Sequence, residues 1–467
     1  MRVFVAGGTG VVGKRAVARL VWAGHDVTVL ARSSTKDAVV RGLGAQPVRV
    51  DLFDADALRD AVAGHDAVVN LTTHIPPLTQ MARMSAWSEN ERIRTEGSTN
   101  LVDAALAAGA KVFVQESLAF VYGEHGAEII SADTTGWGDS PFVGAVQAAE
   151  ANVARFTASG SRGVVLRFGM FYADDSDQTV AKVKAARNGF SAEVGAADSY
   201  FPLIDADDAA AAAVAALDAP AGLYDVVDDA STRAEQTAAL AAAVGRRRLH
   251  RPPKWATPKV GSYLAASQRV SNEKFRNATA WRPSSPTVRE GYAKLVSELH
   301  MEPALPTRIR LALWVLVFTA FGVGAQAAFF PRSFYDDFPI GRGWVAMDGL
   351  YNEHLIRDVG VLNLALMVVT IGALVINTRA VARLTALAWL VYSVPHFVYH
   401  ARHLTMDMAG GEKIALLGSL AIPVLLAIFI LVDRNRSSVG SPGESVSGRA
   451  PAAVRDDDLR RDVGARA

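Results

Sequence analysis

A glycine-rich turn lies directly between a predicted strand and a predicted helix at the start of the chain. The apolar run Arg2 to Ala6 leads into this turn, which consists of Gly7, Gly8, Thr9, Gly10, Val11, Val12 and Gly13. Apolar residues then recur at helical spacing until Gly24, after which a second apolar run extends from Asp26 to Ala31. Strand, helix and strand in this order predict a βαβ unit, which requires parallel strands in an α/β sheet.

The same glycines predict a ligand. Glycines let the backbone approach a pyrophosphate, and the N-terminus of the following helix attracts its negative charge. We therefore predict that residues 7–13 bind a dinucleotide. The alternative is a glycine turn that only packs the helix on the strand.

The end of the second strand indicates which dinucleotide this is. NAD sites usually place an acidic residue there to bond the ribose 2′-hydroxyl, but this chain continues with Arg32 and Ser33. Arg32, helped by Ser33 or Lys36, can instead contact a 2′-phosphate. We therefore expect NADP(H) to be favoured over NAD(H), the alternative being a solvated arginine at the start of a loop.

Further landmarks follow in order along the chain: Asp51-Leu52, Asn70-Leu71-Thr72, Val121-Tyr122-Gly123, Leu166-Arg167-Phe168-Gly169 and Trp281-Arg282-Pro283. Together they resemble the extended and atypical short-chain dehydrogenases/reductases, in particular the NAD-dependent epimerase/dehydratase group. The resemblance implies a Rossmann-type, doubly wound parallel sheet with a small substrate sub-domain over residues 1–300. It also implies that Asp51 and Leu52 contact the adenine ring and that the strand with Asn70, Leu71 and Thr72 passes the nicotinamide.

The chain departs from that family at the catalytic residues. The family uses a tyrosine with a lysine four residues later, and a serine four residues before its Tyr-Gly pair. Here Phe142, Val146 and Leu118 occupy these positions. A phenyl ring has no proton to exchange, so the usual acid–base catalysis should be absent. Tyr122 is a candidate substitute acid, although it also belongs to a structural landmark of the family.

The second part of the chain is much more apolar. Four stretches approach the length of about 20 apolar residues that a membrane-spanning helix needs. They are Ile309 to Phe330, Val359 to Ile376, Val381 to Val398 and Ile414 to Val432. We predict an all-α transmembrane bundle of about four helices over residues 305–433, with the lipid bilayer as its partner. Residues 434–467, rich in Ser, Gly, Arg and Asp, are predicted to be a disordered tail.

The orientation of these helices follows from the cofactor. Basic residues flank both ends of the spans in similar numbers and do not decide it. No export signal precedes the glycine turn, and NADP is cytosolic. We therefore expect a multi-pass protein of the cell membrane whose N-terminal domain and C-terminal tail are cytoplasmic.

Histidines recur near the predicted outer ends of the helices. His354 and Asp358 are four residues apart, as are His396 and His400, so each pair shares a helix face. We predict no metal site from this spacing alone. A metal, haem or proton-relay site stays open as a hypothesis, beside the interpretation that these are polar residues anchored at the membrane interface.

Composition excludes two other classes. The formal net charge is +1 and no Lys/Arg cluster is dense, so we expect no nucleic-acid partner. The chain has no cysteine, which excludes disulfides, thiolate nucleophiles and cysteine-ligated metals.

Three functions fit these features. The first is a membrane-anchored NAD(P)(H)-binding protein without the usual catalytic residues, acting as a cofactor or redox sensor or as a non-standard oxidoreductase. The second is an active NADP-dependent oxidoreductase or epimerase on a small-molecule or lipid-like substrate. The third is a membrane transport or haem/quinone protein that the cytosolic domain regulates. The substrate and the oligomeric state stay open.

Overall fold

The computed structural model describes residues 1–76, 83–134, 136–140, 142–250, 262–301, 304–404 and 409–433. The chain divides into two units. The first consists of Met1–Leu311 and Val368–Ala382, and the second of Ala312–Met367 and the chain from Arg383. The predicted tail, residues 434–467, lies outside the described residues.

Most strands of the first unit belong to one parallel sheet. In chain order the strands are β1 (Arg2–Ala6), β2 (Asp26–Leu30), β3 (Gln46–Val48), β4 (Ala67–Asn70), β5 (Val112–Leu118), β6 (Ile129–Ile130), β7 (Arg162–Phe168), β8 (Met170–Tyr172), β9 (Leu203–Asp205), β10 (Gly222–Val226) and β11 (Arg269–Val270). The large sheet has the order β10-β7-β5-β4-β1-β2-β3, and each neighbouring pair is parallel. The predicted βαβ unit, β1-α1-β2, is thus confirmed, and both of its strands belong to the large sheet.

Helices cover both faces of this sheet. They are α1 (Val11–Trp22), α2 (Ser34–Gly42), α3 (Ala55–Val62), α4 (Ser88–Arg92), α5 (Ser98–Ala107), α6 (Val143–Ala158), α7 (Asp177–Arg187), α8 (Ala206–Ala215), α9 (Arg233–Ala243), α10 (Ser262–Ala265), α11 (Glu273–Ala278) and α12 (Val288–Glu298). Val3 and Val5 of β1 pack with α1 and α8, whereas Phe4 packs with α3 and α5. Because successive side chains of a strand point to opposite faces and both faces are covered, β1 is apolar from Val3 to Ala6. The predicted doubly wound sheet is confirmed.

A smaller core lies beside the large sheet. Tyr172 of β8, Leu203 of β9, Leu240 of α9 and Tyr292 of α12 pack together there. The pairs β8–β9 and β6–β11 add two short parallel ribbons. This layer corresponds to the small sub-domain that the family resemblance implies.

The remaining helices include four long apolar ones. In chain order the remaining helices are α13 (Thr307–Phe329), α14 (Pro331–Asp337), α15 (Glu353–Ile376), α16 (Arg379–Arg402) and α17 (Gly410–Val432). All except α14 have 23 or 24 residues and are long and apolar enough to cross a membrane. Each contains one of the predicted apolar stretches to within a residue or so. Pro395 lies inside α16 without ending it.

Candidate cofactor-binding site

A cavity of about 740 Å³ lies at the carboxyl edge of the large sheet. The parallel register aligns Ala6 with Asn70 and Val5 with Val29, so that the loops after β1, β2 and β4 meet there. The strand order reverses between β1 and β4, which is where sheets of this kind bind ligands. The cavity is lined by Gly7, Thr9, Gly10, Leu30, Ala31, Arg32, Lys36, Arg49, Val50, Asp51, Leu52, Phe53, Leu71, Thr72, Thr73, Glu89, Arg92 and Ile93.

Two glycines of the turn leave no room for a side chain. Gly7 has a φ of +81°, and a Cβ atom there would lie 2.5 Å from the carbonyl carbon of Leu71. A Cβ atom on Gly13 would collide with the carbonyl oxygen of Gly7. The N-cap of α1 is Gly10, so no side chain caps the first amides of the helix, and the first turn has no acidic residue. The N-terminus of α1 is therefore open to an anion, which fits the pyrophosphate of a dinucleotide.

The residues predicted to bind the cofactor fall into two groups. Those that line the cavity are Gly7, Thr9, Gly10, Arg32, Asp51, Leu52, Leu71 and Thr72. Those absent from its lining are Gly8, Val11, Val12, Gly13, Ser33 and Asn70.

Two residues of the second group make hydrogen bonds to segments that line the cavity. Ser33 accepts a hydrogen bond from the backbone N–H of Lys36 at 3.4 Å as the N-cap of α2, which differs from the expected phosphate contact. Asn70 Nδ2 donates to Gln115 at 2.9 Å, and its Oδ1 accepts from the backbone N–H of Thr72 at 3.1 Å. Asn70 therefore fixes the loop that lines the cavity.

Arg32, Lys36 and Arg49 are three of the cationic side chains that line the cavity. Arg32 and Lys36, the two cations predicted to contact a 2′-phosphate, both line the cavity; Arg32 follows β2 and Lys36 lies in α2. Arg49, which follows β3, was not predicted. Its position is a consequence of the register that pairs Leu30 with Val48. The Nε and Nη2 atoms of Arg49 donate to Asp37 Oδ2 at 2.8 and 2.5 Å, and this pairing holds the pKa of Asp37 below its ordinary value.

The residues predicted to occupy the family's catalytic positions have apolar, packed side chains. Phe142 is 4% exposed, and its ring centroid lies 4.4 Å from that of Trp87. Val146 is fully buried on the next turn of α6, and Leu118 ends β5. None of these side chains can donate or accept a proton.

Tyr122, the candidate substitute acid, is buried and hydrogen-bonded to Asp225. Its hydroxyl donates to both carboxylate oxygens of Asp225, at 2.8 and 2.9 Å, and the residue is 2% exposed. Burial, followed by the nearby carboxylate of Asp225, raises the pKa of Tyr122 far above its ordinary value. Tyr122 does not line the cavity.

A buried ion pair that was not predicted lies next to these positions. Glu150 accepts hydrogen bonds from Nε and Nη2 of Arg167, at 2.8 and 2.7 Å, and from Ser117 Oγ at 2.6 Å. Glu150 follows Val146 by one turn of α6. The four-residue spacing could therefore have indicated from the sequence that Glu150 lies on the same helix face as Val146. The pair ties α6 to β5 and β7.

The histidine pairs of the second unit form no common ligand set. His354 Nε2 lies 3.5 Å from Asp358 Oδ2, and both side chains are exposed. The rings of His396 and His400 lie 4.8 Å apart, and His400 Nδ1 is 3.4 Å from Asp348. In the described ranges no three His, Asp or Glu side chains group as metal ligands. The metal hypothesis thus gains no geometric support.

Comparison with known proteins agrees with this architecture. Residues 3–226 match the model of the NAD dependent epimerase/dehydratase family. The chain is 32% identical over 315 residues to a 3-diazoavenalumate denitrifying reductase from a Streptomyces species, covering 63% of this chain and 100% of that protein.

Solved structures share the fold. The Thermus thermophilus UDP-glucose 4-epimerase in complex with NAD has a TM-score of 0.52 at 23% identity, covering 64% of this chain and 99% of that one. A human epimerase family protein with NADPH has a TM-score of 0.54 at 24% identity, covering 64% of this chain and 100% of the other. The family match and the similarity over the full length of the Streptomyces reductase lead to one conclusion: the chain belongs to the NAD-dependent epimerase/dehydratase family.

Proposed function

We propose that this chain is a membrane-anchored, NADP(H)-dependent reductase that works without the tyrosine–lysine pair of its family. The observation that carries the proposal is the cavity itself. It has an open helix N-terminus beside Gly10, and its lining includes the cations Arg32, Lys36 and Arg49. These groups match the pyrophosphate and the 2′-phosphate of NADP(H).

The cations support NADP(H) over NAD(H). A 2′-phosphate carries about −1.5 to −2 charges at neutral pH. Arg32 and Lys36 face it with two positive charges, while Arg49 is partly neutralised by Asp37. NAD(H) would leave these cations without an anion, so it should bind more weakly.

The apolar positions restrict the acceptor. When bound, the reduced cofactor supplies a hydride. Phe142 and Val146 offer no proton to the acceptor, so reduction of a ketone to an alcohol would lack its usual acid. An acceptor that is already cationic needs no proton. An aryl diazonium ion, for example, takes the hydride onto the ring carbon and releases N₂. The relative named as a denitrifying reductase of a diazo compound supports this class of acceptor.

Membrane anchoring completes the proposal. The apolar helices α13, α15, α16 and α17 support it by their length and composition. We propose that the first unit faces the cytosol, where NADPH is available, and that the substrate is a small or lipid-like molecule.

The first experiment is a fluorescence titration of the detergent-purified full chain with NADPH and NADH. We expect wild type to bind NADPH more tightly than NADH. The variant Gly10→Asp should bind neither cofactor, because it puts a carboxylate at the pyrophosphate position. Equal affinity for the two cofactors would contradict the NADP(H) proposal. Absence of binding in folded wild type would contradict the cofactor proposal altogether.

The second experiment tests the acceptor with deuterium-labelled NADPH. We expect deuterium in the product of an aryl diazonium ion and little reduction of a matched aryl ketone. Ketone reduction that Tyr122→Phe abolishes would show that Tyr122 acts as the acid after all.

A cofactor-sensing role is the second candidate, because Phe142 and Val146, at the positions predicted for the catalytic tyrosine and lysine, are buried and apolar. It predicts NADPH binding with no turnover of any acceptor in the panel. Deuterium transfer to one acceptor would exclude a purely sensing role.

A further inference from the structure

Three arginine side chains converge on the C-terminal end of α7 in the first unit. Arg246 donates from Nε and Nη2 to the carbonyl oxygen of Arg187, at 3.0 and 2.5 Å. Arg310 donates from Nη1 to the carbonyl oxygen of Asn188 at 3.3 Å. Arg187 itself donates from Nη2 to the carbonyl oxygen of Asn377 at 3.1 Å. Positive charges from separate parts of the chain therefore meet at one helix end.

The backbone holds this arginine cluster, Arg187, Arg246 and Arg310, in place. Asn377 lies in the turn between α15 and α16 and adopts a φ of 59°. Its Nδ2 donates to the carbonyl oxygen of Arg187 at 2.8 Å, and its Oδ1 accepts from the backbone N–H of Leu305 at 3.0 Å. The turn, the segment before α13 and the end of α7 are thus joined by hydrogen bonds.

Arg246 and Arg310 carry more positive charge than the carbonyl groups to which they donate can neutralise. The carbonyl groups at a helix C-terminus amount to about half a negative charge. Among the residues that the structure describes, no carboxylate acts as a charge partner of Arg246 or Arg310. Burial, followed by the charges of Arg310 and Arg187, lowers the pKa of Arg246 to about 10. A bound anion would relieve this repulsion.

The position of the cluster indicates which anion this is. Arg310 lies in the first turn of α13, and Asn377 follows the last residue of α15. Both helices are long and apolar enough to cross a membrane, and the ends of such helices lie at the level of the lipid headgroups. Arg247 and Arg248, both exposed, follow Arg246 directly and add positive charge.

We propose that the arginine cluster binds the phosphate group of an anionic phospholipid. Guanidinium groups suit this ligand because their planar donors match phosphate oxygens in pairs. This inference rests on the proposed membrane anchoring and is independent of the cofactor.

The test is a lipid titration of the full chain in detergent, with bound lipids counted by native mass spectrometry. Phosphatidylglycerol, phosphatidylcholine and inorganic phosphate serve as probes. We expect wild type to prefer phosphatidylglycerol over phosphatidylcholine, and inorganic phosphate not to displace it at an equal concentration. Equal binding of the two lipids would overturn the proposal. Displacement by inorganic phosphate would overturn it too, because the site would then serve a soluble anion.

A matched pair of variants locates the site. Arg246→Gln with Arg310→Gln should weaken phosphatidylglycerol binding about fivefold for each charge removed. The control, Arg59→Gln with Arg155→Gln, removes the same charge from exposed ion pairs on α3 and α6 and should leave binding unchanged. An equal loss of phosphatidylglycerol binding in the two double variants would mean that net charge alone attracts the lipid. Resistance of wild type to extraction by alkaline carbonate tests the anchoring separately.

Discussion

Arg49 lies beside Arg32 because β2 and β3 are parallel neighbours whose carboxyl ends coincide. Arg49 is more than half exposed, and its guanidinium is held by Asp37, which is almost buried. Such a pair contributes little to stability in water. Its value lies in fixing a guanidinium at the edge of the cavity, where it can meet a phosphate without first losing much side-chain entropy.

Replacing this side chain should therefore change cofactor preference rather than folding. We expect Arg49→Ala to weaken NADPH binding about five- to tenfold, as for one exposed charge-assisted contact, and to leave NADH binding nearly unchanged. Parallel titrations with both cofactors measure the ratio. A similar loss for NADH and NADPH would mean that Arg49 acts on the shape of the cavity instead of the 2′-phosphate.

Asp225 makes stability depend on pH. Burial raises the pKa of Asp225 from its ordinary value of 3.8 to about 7, against the opposing effects of the Tyr122 hydroxyl and Arg167. Between these two values the folded chain keeps a proton that the unfolded chain has lost. The contribution of Asp225 to the free energy of unfolding is thus greatest below pH 4. It falls by up to about 1.4 kcal/mol per pH unit as pH rises towards 7.

The variant Asp225→Asn isolates this effect because it stays neutral and still accepts a hydrogen bond from Tyr122. We expect the melting temperature of wild type to fall relative to that of the variant between pH 5 and pH 7.5. Thermal unfolding of the full chain in detergent, followed by tryptophan fluorescence, measures this difference. A difference that stays constant with pH would show that Asp225 is ionised throughout.

At the scale of elements, the glycine turn and α1 act as one packed piece. Gly13 lies in α1, and its Cα faces the carbonyl oxygen of Gly7 so closely that a methyl group cannot be inserted without movement. The contact sets the angle at which α1 leaves the turn. It therefore also sets the direction in which the first amides of α1 point into the cavity.

We expect Gly13→Ala to destabilise the fold by about 1–3 kcal/mol, as for overpacking, and to weaken binding of both cofactors. Gly42→Ala is the matched control, since Gly42 lies in α2 with no atom within 4 Å of an added Cβ. That variant should be neutral or slightly stabilising. Comparison of melting temperatures and NADPH titrations tests both. Equal behaviour of the two variants would mean that α1 does not pack on the turn.

At the scale of the whole molecule, orientation in the membrane can be tested directly because the chain has no cysteine of its own. Ser333 lies in α14, between the first two apolar helices, and Ser159 follows α6 in the first unit; both are exposed. In intact cells we expect an impermeant maleimide to label Ser333→Cys, and to label Ser159→Cys only after lysis. The reverse pattern would place the first unit outside the cell and remove the argument from cytosolic NADPH.

The architecture was largely readable from local patterns. Buried parallel strands need continuous apolar runs, and spanning helices need long ones, so β1, β2 and the four long helices were visible as uninterrupted segments. The turn between β1 and α1 was visible because the close approach to Leu71 and the conformation of Gly7 both require glycine. These requirements belong to single segments, so the sequence by itself determined the fold class and the glycine turn that lines the cavity.

Other features depend on residues that are distant in the chain. Arg49 meets Arg32 only through strand register, and Tyr122 meets Asp225 across 103 residues. The arginine cluster joins α7, the segment after α9 and α13 in the same way. Ser33 shows that adjacency in the chain does not guarantee a shared role. It is next to Arg32, but it caps α2 and does not line the cavity. The tertiary structure alone decided these contacts, because the energy of a charge or a hydrogen bond depends on distance and burial, which no local pattern encodes.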